Sequence, residues 1–281
     1  MKICDCHNDF FGELKTEKLQ EYVDECSQAG VQFLSGSYWT TKRVGDIFAD
    51  ITNRKKMIKN QKCFVLHIED LSFIKDQNSL QNLIDLKPFS CSLTWNFDNE
   101  FAGGSYGEKT LTKRGKKLIQ KLQENSILLD LAHLNKKSFF DAADSTKYPP
   151  YISHTGFCFI HDDKRNIDEE QIKFIVENNG FMGMFFYDKL SMQKHGNLRE
   201  FSVVNIAQNI ACFVDKFGCE NIGIGSDFYG IESSPKNLNN YEQFKNLKTQ
   251  LKNLGMADFE IKKIFHKNLQ TYLKKTCVVI K

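Results

Sequence analysis

Eight short apolar runs, each set off by amphipathic or polar sequence, constrain this chain more than any other feature. The runs cover 3–6, 31–36, 63–68, 89–94, 127–131, 151–153, 181–186 and 222–225, and read as strands. Amphipathic stretches at 16–29, 44–59, 111–124, 136–146, 168–178 and 203–217 lie between them, and two more follow at 241–254 and 258–274. Strands alternating with helices predict a parallel sheet, and a count of eight predicts an α/β fold closed as a (β/α)8 TIM barrel. The competing fold is an open doubly wound sheet, weakened because no GxGxxG or P-loop follows any strand. With no linker or repeat in 281 residues, residues 1–281 are expected to form one domain.

Composition narrows the class. Charged residues make up 26% and hydrophobic residues 41%, which predicts a soluble globular protein with a full core. The lysines behind the net charge of +3 are spread over helical segments, so no nucleic-acid partner is expected. No run approaches the roughly 18 apolar residues that a membrane span needs. The chain reaches an acidic strand within its first residues, leaving no room for a signal peptide, and Cys277 sits one residue too far from the end for a lipidation box. The nine cysteines are odd in number and form no CxxC, which predicts reduced, mostly buried thiols and a cytoplasmic location.

In a parallel barrel the active site gathers at the carboxyl ends of the strands. The first candidate strand ends DCHND (5–9), where His7 and Asp9, two apart, share a face and can reach one cation. The competing reading is a hydrogen-bonded polar strand end. On the same alternation Cys4 and Cys6 face the helices. The third strand ends HIED (67–70), and unpaired buried carboxylates are costly, so Glu69 and Asp70 read as ligands or as a capped, solvated loop. The fifth and sixth strands each deliver one histidine, His133 and His154, to the same end. The eighth closes with Asp227 in GIGSDFYG, which also reads as a helix or turn cap. Together His7, Asp9, Glu69, His133, His154 and Asp227 form an oxygen and nitrogen donor set without thiolates, suited to zinc or a similar divalent ion and large enough for two. Asp130 reads as a partner for a ligating histidine or as a strand-end hydrogen bond. His161 and His195 read as surface residues, and His266 as packing or solvated.

Six segments in order resemble the membrane (renal-type) dipeptidases, peptidase family M19 of the amidohydrolase superfamily. They are DCHND (5–9), HIED (67–70), SLTWNFDNEFAGG (92–104), LTKRGKKLIQKLQENSILLDLAHLN (111–135), PYISHTG (150–156) with Arg165-Asn166 beyond it, and GIGSDFYG (223–230). The resemblance implies a dinuclear zinc dipeptidase with two Zn2+ per chain. His7 and Asp9 would bind one ion, His133 and His154 the other, with Glu69 bridging both. Arg165 would hold the carboxylate of a small dipeptide-like substrate. Hydroxide between the cations would attack the peptide carbonyl, with Asp227 as proton shuttle. It also implies a homodimer and tolerance of a D-residue at the C-terminal position. Three features depart from the family. Trp95 stands where the family has a substrate-contacting histidine, Tyr229 replaces an aspartate, and the segment between the first and third strands is short. They leave two alternatives open: an amidohydrolase acting on N-acyl amino acids, lactams or lactones, and a catalytically silent metal-binding relative.

Overall fold

The structure is a computed structural model and describes residues 1–41, 43–59, 63–192 and 200–276; His195 and Cys277 lie outside them. All eight expected strands form: β1 Ile3–Asn8, β2 Val31–Trp39, β3 Phe64–Glu69, β4 Ser90–Ser92, β5 Leu128–Asp130, β6 Tyr151–Thr155, β7 Phe181–Met184 and β8 Ile222–Ile224. They are parallel, in the order β5-β4-β3-β2-β1-β8-β7-β6. Two bonds join the ends of that ladder. The Leu131 N–H donates to the Tyr151 carbonyl at 2.9 Å, and the Ser153 N–H donates to the Asp130 carboxylate at 2.9 Å. The sheet is therefore a closed (β/α)8 TIM barrel rather than an open sheet.

The helices begin where side-chain caps satisfy their first N–H groups. Thr112 accepts from Gly115 ahead of Lys113–Glu124, and Asp168 and Gln171 cap each other at Glu169–Glu177. The helix Gln77–Leu86 was not among the expected stretches, although Asp76 and Ser79 form a capping box at its start. The last stretch, expected as one helix, carries a π turn at Lys263–Lys267 between Asp258–Lys262 and Asn268–Thr276. No described helix is long and apolar enough to cross a membrane.

The barrel lumen is layered. Phe33, Val65, Phe89, Leu128, Tyr151 and Phe181 fill its floor, plugged by Leu269 and Tyr272 of the last helix. Cys4 and Cys6 belong to this floor, which corrects the expectation that they face the helices. Asp5 and Asn8 are the residues that turn outward, both reaching the Tyr241 hydroxyl, at 2.5 and 2.8 Å. The cause is an irregular register between Asp5 and Asn8, which breaks the alternation of the strand. Above the apolar floor the lumen becomes polar, with Ser35, Ser37, His67, Ser90, Asp130 and Ser153 all buried.

Candidate metal centre

The polar layer opens into a cavity of about 570 Å³ that reaches Asp9, Glu69, His133, His154, Arg165 and Asp227. Glu69 ends β3 and His154 lies in β6, while His133 and Asp227 stand just beyond β5 and β8. Two donor clusters meet at the top of the lumen. In one, Glu69 Oε1 lies 2.8 Å from His133 Nε2 and 3.8 Å from His154 Nε2, and the two ring nitrogens are 3.0 Å apart. In the other, His7 Nε2 lies 3.3 Å from Asp9 Oδ2 and 3.9 Å from Asp227 Oδ1. The His7 and His154 rings, 3.7 Å between centroids, join the clusters. His7 Nε2 and Glu69 Oε1 are buried and have no hydrogen-bond partner among the described residues despite these short distances. Donor atoms around one ion with legs of about 2.0 Å stand on the order of 3.3 Å apart, so the spacing and the donor chemistry both fit a divalent metal.

The electrostatics point the same way. Burial opposes charge on His7, yet Asp9, with Glu69 and Asp227, pushes it up to about 10. Burial raises Glu69 well above the usual carboxylate range, and burial together with Asp9 does the same to Asp227. Burial lowers His133 and His154, with Arg165 acting next on the first and His7 on the second. Burial thus disfavours the ionised forms of Glu69 and Asp227, while the two lowered imidazoles beside them favour the neutral form that offers a lone pair. A cation held there would favour both the ionised carboxylates and the neutral rings.

Neighbouring groups fix the rings. Asn96 Oδ1 is 2.7 Å from His133 Nδ1, and Arg165 Nη2 donates to His133 Nε2 at 3.0 Å and to the His154 carbonyl at 3.2 Å. Ser153 Oγ lies 3.2 Å from His7 Nδ1 and 2.8 Å from His154 Nδ1. Asp5 accepts from the Ser226 amide at 2.9 Å, and the next amide, Asp227, donates to the His7 carbonyl at 3.0 Å, tying β8 to β1. His133 and Asp227 both have positive φ, +65° and +62°, a strained setting for non-glycine residues.

Asp9, Glu69, Trp95, His133, His154, Arg165, Asp227 and Tyr229 therefore line one cavity, and His7 is buried beside it against Asp9 and Asp227. Asp70 does not join them: it leaves the lumen and accepts from Thr41, Ser72 and Asn99 in a loop. Among the described residues Asp130 makes no hydrogen bond to a candidate ligand histidine, although one of its oxygens lies within 4.8 Å of a His7 nitrogen. Its Oδ1 accepts from Ala132 and Ser153, and its Oδ2 stands 3.6 Å from Nε2 of His67, whose Nδ1 meets Ser90 Oγ at 2.8 Å. His67 has no role in the expectations, though its spacing of two from Glu69 puts it on the same face. His161 is half-buried, its Nδ1 2.8 Å from the Met192 carbonyl, and His266 is buried. Phe185 and Tyr187, the end of the aromatic run 181–187 expected to reach the pocket, also line the cavity, as do Trp39 at the end of β2 and Asn96, which lies outside the strands.

The family model for membrane dipeptidase (peptidase family M19) matches residues 21–279. The chain belongs to that family. The matched span begins after β1, so His7 and Asp9 enter the site through the geometry above. An uncharacterized dipeptidase of Schizosaccharomyces pombe is 25% identical over 224 residues, 78% of this chain and 54% of the relative. The chain spans about half the length of that relative, and 38% of a second dipeptidase from the same yeast. Among solved structures, a metallo peptidase from Rhodobacter sphaeroides liganded with a phosphinate mimic of L-Ala-D-Ala superposes with a TM-score of 0.82 at 17% identity, over 98% of this chain and 99% of that one. A metallo peptidase of the same family, dipeptidase AC, gives a TM-score of 0.83 at 18% identity, with 99% of each chain covered. At these identities the likeness is one of fold.

Proposed function

We propose that this family member hydrolyses dipeptides, with two zinc ions held by His7 and Asp9 on one side, His133 and His154 on the other, and Glu69 between them. The observation that carries the reading is the convergence of buried donors on Glu69 Oε1 and His7 Nε2, neither of which has a hydrogen-bond partner among the described residues. When bound, the metal supplies Lewis acidity, polarising a carbonyl and making water acidic near neutral pH.

The remaining work falls to side chains of this chain. Arg165, buried beside His133, presents a planar fork suited to the substrate α-carboxylate. The lone pair on His133 Nε2 accepts from Arg165 Nη2 here; a metal held by His133 would need that lone pair, leaving Nη2 free for the substrate carboxylate. Asp227 stands at the cavity edge, where its carboxyl takes the proton lost by the attacking water and returns it to the leaving amine. Trp95 carries no titratable group. It shapes the cavity and excludes water but takes no part in proton transfer.

The test pairs elemental analysis of protein purified without chelator with a panel of L-Xaa-D-Xaa dipeptides. The expected result is about two zinc per chain and release of free amino acids, abolished by chelation and restored by zinc. Metal without cleavage of any dipeptide refutes the substrate class. Failure to retain or regain metal refutes the ligand set. Faster cleavage of N-acyl amino acids, which lack a free α-amine, favours the amidohydrolase alternative.

A further inference from the structure

Building on the dipeptidase reading, we propose that Trp39 and Trp95 form an apolar wall that selects dipeptides with bulky uncharged side chains. Trp39 ends β2 directly opposite Glu69 in the strand register, and Trp95 follows β4 on the other side of Glu69. Their rings lie 4.7 Å apart and tilted, and the Trp95 ring is 6.1 Å from that of His133. The wall runs outward through Phe97, 6.2 Å from Trp95, to Tyr106, 6.4 Å further. Across the cavity Phe185 lies under the Arg165 guanidinium at 5.6 Å, with Tyr187 beyond it at 6.3 Å.

Two features of the cavity give this wall its role. First, Tyr106 lines the cavity and remains 40% exposed, with Phe97 packed against it and 64% exposed, and clustered exposed aromatics mark a surface suited to an apolar ligand. Second, the charges at the mouth are already matched. Glu13 pairs with Arg43 at 2.5 Å, and Lys189 pairs with Glu232. A charged substrate side chain would have to break one of these pairs or sit against indole. Arg165 and the acids lie deeper, where they meet the termini and the peptide bond common to every dipeptide. Discrimination among side chains is left to the rings, which reward apolar area and aromatic contact.

The chain has two tryptophans, and both are in this wall, so intrinsic tryptophan fluorescence reports on it alone. Zinc-loaded full-length protein is titrated with reduced-amide analogues of Leu-Phe, Gly-Gly and Lys-Asp, which cannot be cleaved, and the parent dipeptides are assayed for hydrolysis in parallel. The Leu-Phe analogue is expected to bind at least tenfold tighter than the Gly-Gly analogue, about 1.4 kcal/mol, and to change the emission. The Lys-Asp analogue gains nothing over Gly-Gly. Trp95→Ala brings the Leu-Phe to Gly-Gly ratio close to one, while Trp95→Phe keeps most of it. Tyr106→Ala, at the outer end of the wall, lowers the same ratio and serves if Trp95→Ala fails to fold. Equal affinity for Leu-Phe and Gly-Gly, or a ratio that survives these alanine substitutions, overturns the proposal. Absence of hydrolysis with the binding ratio intact refutes the activity and leaves the wall standing.

Discussion

Asn96→Ala isolates one side of the metal centre. Arg165 Nη2 donates to His133 Nε2, so that nitrogen carries the lone pair and the ring hydrogen sits on Nδ1. The Nδ1–H donates to Asn96 Oδ1 at 2.7 Å, holding the ring in the tautomer and orientation a metal needs. Asn96 is only partly buried, so water can replace its oxygen, and the cost to folding stays within about 1 kcal/mol. Loss of such an outer hydrogen bond costs about 10–100-fold in metal affinity, or roughly 1.4–2.7 kcal/mol. The His7 and Asp9 cluster does not touch Asn96, so one of two zinc dissociation constants should rise while the other stays fixed. Competition with a chromophoric chelator separates the two constants, and a thermal melt of the metal-free protein checks the fold. Asn96→Asp, which keeps the acceptor, should restore or tighten the weakened site. Two unchanged constants, or two that weaken equally with an unchanged melt, would refute the link between this hydrogen bond and one ion.

Arg165→Ala should raise KM for dipeptides by about tenfold or more, the loss of a charge-assisted pair of roughly 1.5–3 kcal/mol, with kcat changed less; initial-rate kinetics check this. Gly225→Ala should destabilise the barrel by more than the usual 1–3 kcal/mol of overpacking, because the new Cβ would meet the Ser153 backbone oxygen at 2.0 Å; a normal melt contradicts it. His133→Gly should leave the metal-free protein about 1–2 kcal/mol more stable than His133→Ala, since only glycine adopts φ of +65° without a Cβ penalty; denaturant unfolding of the pair decides. Asp50 provides a pH test. Burial works to raise it, but hydrogen bonds from Tyr38 and Arg54 prevail and hold its carboxyl below the ordinary value. A depressed folded pKa gives stability that is full above the unfolded value of about 4 and lost as pH falls through the folded one. Wild type should therefore exceed Asp50→Asn by up to about 1 kcal/mol at neutral pH, discounted for exposure, and the gap should close in acid.

The strands are legible because a closed parallel barrel buries both strand faces, so each writes a short uninterrupted apolar run. The candidate ligands are legible because charge at the end of such a run has few structural uses. What escapes is local geometry. The helix Gln77–Leu86 hides its period among polar residues, and only the Asp76–Ser79 cap announces it. Asp70 and Glu69 are indistinguishable in sequence, yet a φ of +67° turns Asp70 away into a loop. Asn96 reaches the cavity from outside the strands, where residue spacing says nothing about direction.

The same limit explains why strict alternation places His7 and Asp9 correctly and Cys6 wrongly. Successive strand residues point to opposite faces, so no regular strand can send two neighbours into the lumen. Yet Cys6 and His7 both enter it, as do Ser153 and His154, and Asp130 and His133 enter from an odd spacing of three. Each pair coincides with a break: the irregular register between Asp5 and Asn8, the one between Ile152 and Thr155, and the positive φ at His133. All three histidines proposed as ligands thus arrive where the strand pattern fails. The breaks allow one strand end to contribute a lumen-filling side chain and a ligand from nearly the same height. With them removed, alternation would turn one member of each adjacent pair out toward the helices, and the centre would lose its nitrogen donors while the barrel itself remained closed.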